Sequence, residues 1–344
     1  MRFSPLIFLL SILLLAVSCV PEDPLSHTVP APVWPGGGDD DMESGTDPAP
    51  TPTPENRLEG LHLLKGDLQA MAVAQSMAVF GNKMFTISAK EEVTVTDILT
   101  YKSLGAFSLS TGSYSSLHAN TSCFGRYFAH VGDEFPLLYV SQWQGDEDRG
   151  VLAYRITGSE GKYNAELVQA ILPDPSMEKI GKGAADWVVD YDSGYLYCFS
   201  YKLFGNSASV LQDNAMVITQ FDLPSPADGA EVILTDEDVV RQEELEMMLV
   251  TQDKCYRNGE IFIVSGSHTV PGSLRLRTVS LLSLSVNRDI DLSLYVGEPE
   301  GLDFGPDGKL LGTYYYVPCL YHYYYESITE DHSGHLQSCQ DDLP

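Results

Sequence analysis

The sequence has few basic residues. Its 20 lysines and arginines stand against 48 aspartates and glutamates, which gives a net charge of −28 at pH 7. Because like charges repel, this balance argues against nucleic acid as a partner and makes an acidic lipid surface a poor one. An acidic surface suits solubility, cation binding or neutral ligands, and the charge alone does not choose among them.

Common catalytic signatures are missing. There is no GxSxG elbow, no HExxH helix and no Walker loop, and neither CxxC nor the Cys/His spacing of a zinc site occurs. After Cys19 the chain has five cysteines, an odd number, so at least one thiol is free. Three of them (Cys123, Cys198 and Cys255) lie in apolar runs, where cysteine usually acts as a small buried hydrophobe. Cys319 and Cys339 are candidates for a disulfide.

The N-terminus has an apolar run that is too short to be a permanent membrane helix. Leu6 to Ala16 follows the positive Arg2, and a spanning helix needs roughly 20 apolar residues. The run ends in Leu-Ala-Val-Ser-Cys19, which resembles the lipobox of bacterial lipoproteins. That resemblance implies a signal peptide at residues 1–18 and acyl chains on Cys19, which anchor the mature protein to a membrane. The alternative is an ordinary secretory signal followed by a chance cysteine.

Residues 19–56 predict a disordered stalk that begins with the lipidated cysteine. Between Val20 and Asn56 there are nine prolines, eight acidic residues and no basic ones, a composition that cannot bury enough surface to become ordered. Glu22 and Asp23 follow the anchor directly. An acidic pair in this place resembles the export signal of Bacteroidetes-type lipoproteins, which implies the outer membrane and display at the cell surface.

A strand–turn–strand phrase recurs through the rest of the chain. Turn dipeptides such as Asn258-Gly259 and Asp307-Gly308 mark its hairpins, because tight two-residue turns need a positive φ. Aromatic residues mark the first strand of each copy, at spacings of 44, 67, 65 and 48 residues. These residues are Phe80, Phe124, Tyr191, Tyr256 and Phe304.

This periodicity predicts an all-β fold, a β-propeller over residues 57–330 followed by a polar tail at 331–344. Spacings of this size fit four-stranded blades with insertions. We expect five four-stranded blades, with six as the alternative. The last copy has no outer strand of its own, so Leu58–Leu64 is expected to supply it beside Leu320–Tyr325. That pairing closes the ring with the two ends of the domain and removes its free sheet edges.

The remaining strands are assigned from apolar runs. In the first blade we expect the third strand at Leu104–Leu109 and the outer strand at Tyr114–Leu117. In the third blade we expect the outer strand at Glu231–Leu234. The acidic segment Asp236–Met248 predicts a short helical insertion between the third and fourth blades.

Two segments resemble known bacterial propellers. The phrase from Glu298 to Gly308 resembles an inner strand of secreted propellers, including the gluconolactonase-like group. His118-Ala-Asn120, followed by Phe135-Pro-Leu-Leu-Tyr-Val-Ser141, is similar to propeller lipoproteins of gut Bacteroidetes. The resemblance implies a fold but not an activity, because propellers carry many unrelated functions.

Candidate site residues stand just ahead of each inner strand. In a propeller these positions converge at one mouth of the central channel, and here they are mostly amides and carboxylates, with one imidazole. Such a mixture suits a polar ligand, for example a glycan, or a hard cation such as Ca²⁺. The simpler interpretation is that these groups satisfy one another and ordered water. The candidates are Gln75, His118, Asn120, Asp186, Gln252, Asp253, Glu298 and Glu300.

Two other classes of function stay open from the sequence. The lactonase-like resemblance implies a metal-dependent hydrolase or lyase, in which Asn120 and Glu300 would hold a divalent ion that polarises a carbonyl or activates water. The other class is a binding partner within a multi-protein envelope complex. Our main expectation is a lipid-anchored binding protein without an assignable catalytic group.

Overall fold

The chain forms an all-β propeller, seen here in a computed structural model. The described residues are 58–64, 73–115, 117–142, 149–159, 161–203, 213–267, 269–292, 298–315, 317–325, 328–330 and 336–338. The strands are β1 (Leu58–Leu64), β2 (Ala74–Phe80), β3 (Lys83–Ser88), β4 (Glu92–Asp97), β5 (Ser103–Ser108), β6 (Ser122–Phe124), β7 (Leu138–Ser141), β8 (Val151–Ser159), β9 (Lys162–Pro173), β10 (Lys182–Asp190), β11 (Tyr195–Tyr201), β12 (Met216–Asp222), β13 (Glu231–Leu234), β14 (Val239–Leu245), β15 (Thr251–Arg257), β16 (Glu260–Ser265), β17 (Arg275–Ser280), β18 (Ser285–Asp291), β19 (Pro299–Phe304), β20 (Leu310–Tyr314), β21 (Val317–Tyr325), β22 (Ile328–Glu330) and β23 (Leu336–Ser338).

These strands build four four-stranded sheets and one five-stranded sheet, besides the small β22–β23 pair. We number the large sheets as blades in chain order, from the inner strand outwards. Blade 1 is β2-β3-β4-β5, blade 2 is β6-β7-β8-β9-β13, blade 3 is β10-β11-β12-β14, blade 4 is β15-β16-β17-β18 and blade 5 is β19-β20-β21-β1. The predicted propeller class is confirmed, but four blades rather than five are four-stranded, because β13 widens blade 2.

The inner strands surround a common axis. Contacts between elements join β2 to β6, β6 to β10, β10 to β15, β15 to β19 and β19 to β2. Since inner strands of a propeller run in the same direction, they begin at one end of the axis and finish at the other. We call the end where they begin the polar end and the end where they finish the cavity end.

The hydrophobic core lies between neighbouring blades, in separate clusters. Phe85 of blade 1 packs with Tyr154 of blade 2, and Tyr139 of blade 2 packs with Trp187 of blade 3. Further clusters join blades 3 and 4, blades 4 and 5, and blades 5 and 1. Successive side chains of a strand point to opposite faces of the sheet, and apolar side chains cover both faces of each blade. Each blade therefore buries its two faces against its two neighbours.

The ring closes as predicted, by pairing the two ends of the domain. β1 runs antiparallel to β21, with Leu61 opposite Tyr323 and Leu64 opposite Leu320. The first strand of the domain is therefore the outermost strand of the last blade. Neither β1 nor β21 leaves its facing edge open to another chain.

Blade 1 corrects the expected strand positions. Its third strand is β4 at Glu92–Asp97, and Ser103–Ser108 is the outer strand rather than the third. Tyr114 and Leu117, expected in an outer strand, lie outside any strand. The sequence Glu-Val-Thr-Val-Thr-Asp alternates as a strand should, and the sequence analysis assigned no strand to it.

The segment after blade 3 corrects two further expectations. Glu231–Leu234 pairs in parallel with β9 of blade 2, and β14 at Val239–Leu245 is the outer strand of blade 3. The predicted helix at Asp236–Met248 is wrong: a capping box between Thr235 and Asp238 starts only a short 3₁₀ turn at Asp236–Asp238. Charged residues in this segment therefore belong to an exposed edge strand, where they oppose aggregation.

Several sequence-based assignments fall outside the described residues. These are the signal peptide, the Cys19 anchor, the stalk, and the Cys319–Cys339 disulfide. In the described part of the chain, no helix is long and apolar enough to cross a membrane. Cys123, Cys198 and Cys255 are buried free thiols, as their apolar surroundings predict.

Candidate functional site

Four of the candidate residues meet at the polar end. The amide nitrogen of Asn120 lies 3.2 Å from both carboxylate oxygens of Asp186, and 3.1 Å from the carbonyl oxygen of Thr251. The side-chain amide of Gln252 donates to Glu298 at 3.1 Å. Asn120, Asp186 and Gln252 are buried, so these hydrogen bonds satisfy groups that water does not reach.

Three further candidates surround this cluster less directly. His118 is half-buried, and burial lowers the pKa of its imidazole while the nearby Asp186 carboxylate acts in the opposite direction. Gln75 in β2 is half-buried, and Glu300 in β19 is buried with 3% of its surface exposed. The convergence of these positions follows from the shared direction of the inner strands.

The donor set at the polar end does not fit a bound metal. Within the described residues, no group of three or more His, Cys, Asp and Glu side chains is arranged to hold an ion. Asn120 turns its NH₂ group, a donor, toward the carboxylate of Asp186, whereas a hard cation needs oxygen ligands. Asn120 and Glu300 therefore do not provide the set of oxygen ligands that a lactonase-like mechanism would need for its metal ion.

Lys254 is a buried member of the cluster that sequence reasoning missed. Its ammonium lies 2.5 Å from Asp186 and 2.9 Å from the carbonyl oxygen of Gln252, and the side chain has no exposed surface. A buried ammonium needs a counter-charge, and Asp186 supplies it. The available signal was an adjacent Asp253-Lys254 pair inside a predicted inner strand, where charged residues are unusual.

The carboxylate of Asp253 lies among the inner strands, next to the cluster at the polar end. Its carboxylate accepts backbone N–H groups from three other inner strands: Met77 at 2.8 Å, Leu302 at 2.9 Å and Ser122 at 3.3 Å. The N–H of Lys254 adds a fourth hydrogen bond at 2.8 Å. Burial raises the pKa of Asp253 well above its ordinary value, and these hydrogen bonds oppose that shift. The carboxylate thus fastens β2, β6 and β19 to β15.

An open cavity lies at the cavity end, opposite the predicted site. Its volume is about 560 Å³, and the last residues of the inner strands line it. The aromatic residues that mark the sequence repeat all border this space, and Phe124, Tyr256 and Phe304 also pack in the core between blades. The five residues are Phe80, Phe124, Tyr191, Tyr256 and Phe304. The repeat therefore marks residues of this cavity as well as the strands of the fold, and the sequence analysis used it only to predict the fold.

Polar groups line the cavity beside the aromatic ones, and one of them is the carboxyl group of Asp303. Asp303 accepts the N–H of Val79 at 2.6 Å and that of Phe304 at 2.7 Å. Burial raises the pKa of Asp303 to about 7, with opposition from those hydrogen bonds and from Arg257. Near neutral pH this carboxyl group can therefore act either as a donor or as an acceptor.

Two arginines and two thiols complete the lining of the cavity. The guanidinium carbon of Arg257 lies 4.6 Å from the ring centroid of Phe304, a cation–π distance. Arg126 lies 5.8 Å from the ring of Tyr127 in the same manner. Cys123 and Cys255 also reach the cavity wall, and burial raises the pKa of the Cys123 thiol to about 12.

Comparison with known proteins finds solved structures that are only distantly similar to this chain. No protein-family model matches the sequence, and no curated protein matches it. Glutaminyl cyclase of Myxococcus xanthus is 13% identical, with a TM-score of 0.42 over 76% of this chain and 94% of that one. The WD40 β-propeller domain of Doa1 is 10% identical, with a TM-score of 0.36 over 74% of this chain and 64% of that one. A putative oxidoreductase (glucose dehydrogenase) of Thermus thermophilus is 12% identical, with a TM-score of 0.40 over 76% of this chain and 99% of that one.

Proposed function

We propose that this chain is a lipid-anchored protein of the cell envelope whose propeller binds a small polar ligand in the cavity at the cavity end. The observation that carries the proposal is the cavity of about 560 Å³, with an aromatic residue from every blade and a few polar groups. Ligand sites have this size and composition: mostly apolar walls with a small number of oriented polar groups. Aromatic faces also stack well on sugar rings, which makes a glycan component a suitable ligand.

The polar end is less suited to this role. Asn120, Asp186 and Lys254 are buried and bonded to one another, so a ligand would have to break hydrogen bonds that already satisfy them. The charges of Asp186 and Lys254 also offset each other. We assign this cluster to the stability of the inner strands.

A thiol-protection experiment tests ligand binding in the cavity. Full-length protein in detergent micelles is treated with N-ethylmaleimide, and the labelling rate of each cysteine is followed by peptide mass spectrometry. The probes are a panel of neutral and carboxylated mono- and oligosaccharides. A ligand in the cavity is expected to slow labelling of Cys123 and Cys255.

Cys198 is the matched control, because it is buried as Cys123 and Cys255 are but is not among the residues that line the cavity. Equal protection of Cys198 would indicate general tightening of the fold instead of occupancy of the cavity. Absence of protection by every member of the panel would also count against the proposal.

Anchoring through Cys19 is tested separately from binding. Cells that express the chain are fed an alkyne analogue of palmitate, and incorporation is measured after the label is attached by click chemistry. We expect the wild type to incorporate the label and to remain in the outer membrane fraction, and the Cys19→Ala variant to do neither. Protease treatment of intact cells then tests surface display: survival of the propeller there would contradict it.

A further inference from the structure

The arginines of this acidic chain are distributed unevenly. Five of the eight described arginines form ion pairs with carboxylates, and the guanidinium of the buried Arg149 donates to the carbonyl oxygen of Ile180. The two that remain, Arg126 and Arg257, have no described carboxylate within ion-pair distance. Both line the cavity.

Each of these guanidinium groups rests against the turn of a neighbouring blade. Arg126, which follows β6, lies against Gly194 in the β10–β11 turn, and Arg257, at the end of β15, lies against Gly308 in the β19–β20 turn. Both glycines have a positive φ, +81° and +83°. A Cβ atom at Gly308 would lie 3.0 Å from the guanidinium of Arg257, and one at Gly194 would clash with Arg126. Glycine at these turns thus leaves room for the two cations.

The base of the cavity accommodates negative charge when Asp303 is protonated. The charged and titratable groups around this carboxyl are Arg257, Cys255 and Asp253 of β15, Cys123 of β6, and Tyr191 at the end of β10. Of these, only Arg257 is cationic. Because burial moves the pKa of Asp303 to about 7, mild acid removes the negative charge of Asp303, which the proposed cavity ligand would face.

We propose that the cavity selects a ring that bears a carboxylate, with the carboxylate paired to Arg126 and Arg257 and the ring placed against the aromatic side chains. This inference rests on the proposed function and names its ligand class. Guanidinium groups bind carboxylates through charge-assisted hydrogen bonds, and aromatic faces accept either a sugar ring or a planar ring. A uronic acid and an aromatic acid share this chemistry.

Isothermal titration calorimetry on the full-length protein in detergent micelles tests the proposal. The probes are glucuronate, benzoate and glucose at pH 6. We expect one or both carboxylates to bind at least about tenfold more tightly than glucose, since a charge-assisted hydrogen bond contributes that much or more. Binding of glucuronate alone identifies an acidic sugar, and binding of benzoate alone identifies an aromatic acid.

Arg126→Gln and Arg257→Gln are each expected to weaken carboxylate binding by about tenfold or more. The matched control is Arg241→Gln, which removes an arginine of β14 that donates to the carbonyl oxygens of Leu282 and Ser283, away from the cavity. That control should leave the Kd unchanged. Thermal melts of every variant confirm that it is folded.

Raising the pH from 6 to 8.5 should weaken carboxylate binding, roughly threefold or more, because Asp303 ionises and repels the ligand. Asp303→Asn should flatten this dependence. The wild-type pH profile remains a test if that variant does not fold.

Two outcomes overturn the proposal in distinguishable ways. In the first, glucose binds as tightly as glucuronate, protects Cys123 and Cys255, and keeps its affinity in the arginine variants. The cavity is then a ligand site, but the proposed selectivity for a carboxylate is contradicted. If no probe binds and none protects the thiols, both this inference and the proposed cavity function are contradicted.

Discussion

At the scale of single residues, the polar end depends on charges that water does not reach. Lys254 and Asp186 are buried together, with 0% and 2% of their side chains exposed. A buried ion pair contributes little net stability compared with an apolar pair, but the loss of one partner leaves an uncompensated charge. This asymmetry makes the pair testable.

Replacing Lys254 with Met should lower the free energy of unfolding by about 3–5 kcal/mol, because Asp186 loses its counter-charge. Asp186→Asn alone should also destabilise the protein, since it leaves the ammonium unpaired. The double variant should be more stable than the sum of the two single effects predicts, as expected for residues in direct contact. Urea denaturation followed by circular dichroism measures all three.

The control for this cycle is Lys202→Met, which removes an exposed ion pair with Glu244. Exposed pairs contribute about 0–1 kcal/mol, so this variant should unfold close to the wild type. Additive effects of Lys254→Met and Asp186→Asn would show that the two side chains do not interact as the structure indicates.

Residue-level prediction from sequence succeeded where topology alone determines position. Asn120, Asp186, Gln252 and Glu298 were expected to converge from their places ahead of the inner strands. Hydrogen bonds join Asn120 to Asp186 and Gln252 to Glu298, although Asp186 lies within β10 rather than ahead of it. Lys254 was missed, because its importance depends on the partner that the fold brings to it from 68 positions away. The cavity was missed for a related reason: Phe80 and Tyr191 look alike as core aromatics and as site aromatics until the blade ends are placed.

At the scale of elements, the inner strands approach each other very closely between blades 5 and 1. A Cβ atom at Gly301 of β19 would lie 2.6 Å from the hydroxyl of Thr313 and 2.8 Å from the Cβ atom of Met77 in β2. Glycine is therefore required here by packing across the blade boundary rather than by a turn.

Gly301→Ala should lower the melting temperature, with a cost of about 1–3 kcal/mol typical of overpacking. Gly81→Asn is the control: this glycine lies in the β2–β3 turn with a φ of +58° and no neighbouring atom within 4 Å of an added Cβ. Asparagine tolerates that conformation, so the control should lose much less stability. An unchanged melting temperature for Gly301→Ala would mean that β19 and β2 separate easily.

The errors in strand assignment from sequence concern outer strands rather than inner strands. The inner strands belong to the repeated strand–turn–strand phrase and were located correctly, whereas β13 was placed in blade 3 and pairs instead with β9 of blade 2. The segment Glu-Val-Ile-Leu fits an outer position in either blade. Which neighbour it joins depends on the path of the connection, and local sequence does not encode that path.

At the scale of the whole molecule, stability depends on closure of the ring. β1 supplies the outer strand of blade 5 from the opposite end of the domain. A ring closed in this way unfolds as a unit, because opening one blade exposes the edges of the others.

Removal of residues 1–64, which deletes β1, should lower the melting temperature and promote aggregation through the exposed edge of β21. Removal of residues 1–56 keeps β1 and serves as the control, which should melt like the full chain without its anchor. Differential scanning calorimetry and light scattering measure the two effects. Equal behaviour of both truncations would contradict closure by β1.

The hydrogen bonds of Asp253 have a consequence for the way the ring can come apart. The carboxylate joins the inner strands of four blades across the centre. Separation of any one of these blades from the axis therefore deprives the same buried carboxylate of a hydrogen bond, which costs on the order of 1–3 kcal/mol. Local opening of one blade is thus penalised at the centre of the molecule as well as at its own edges.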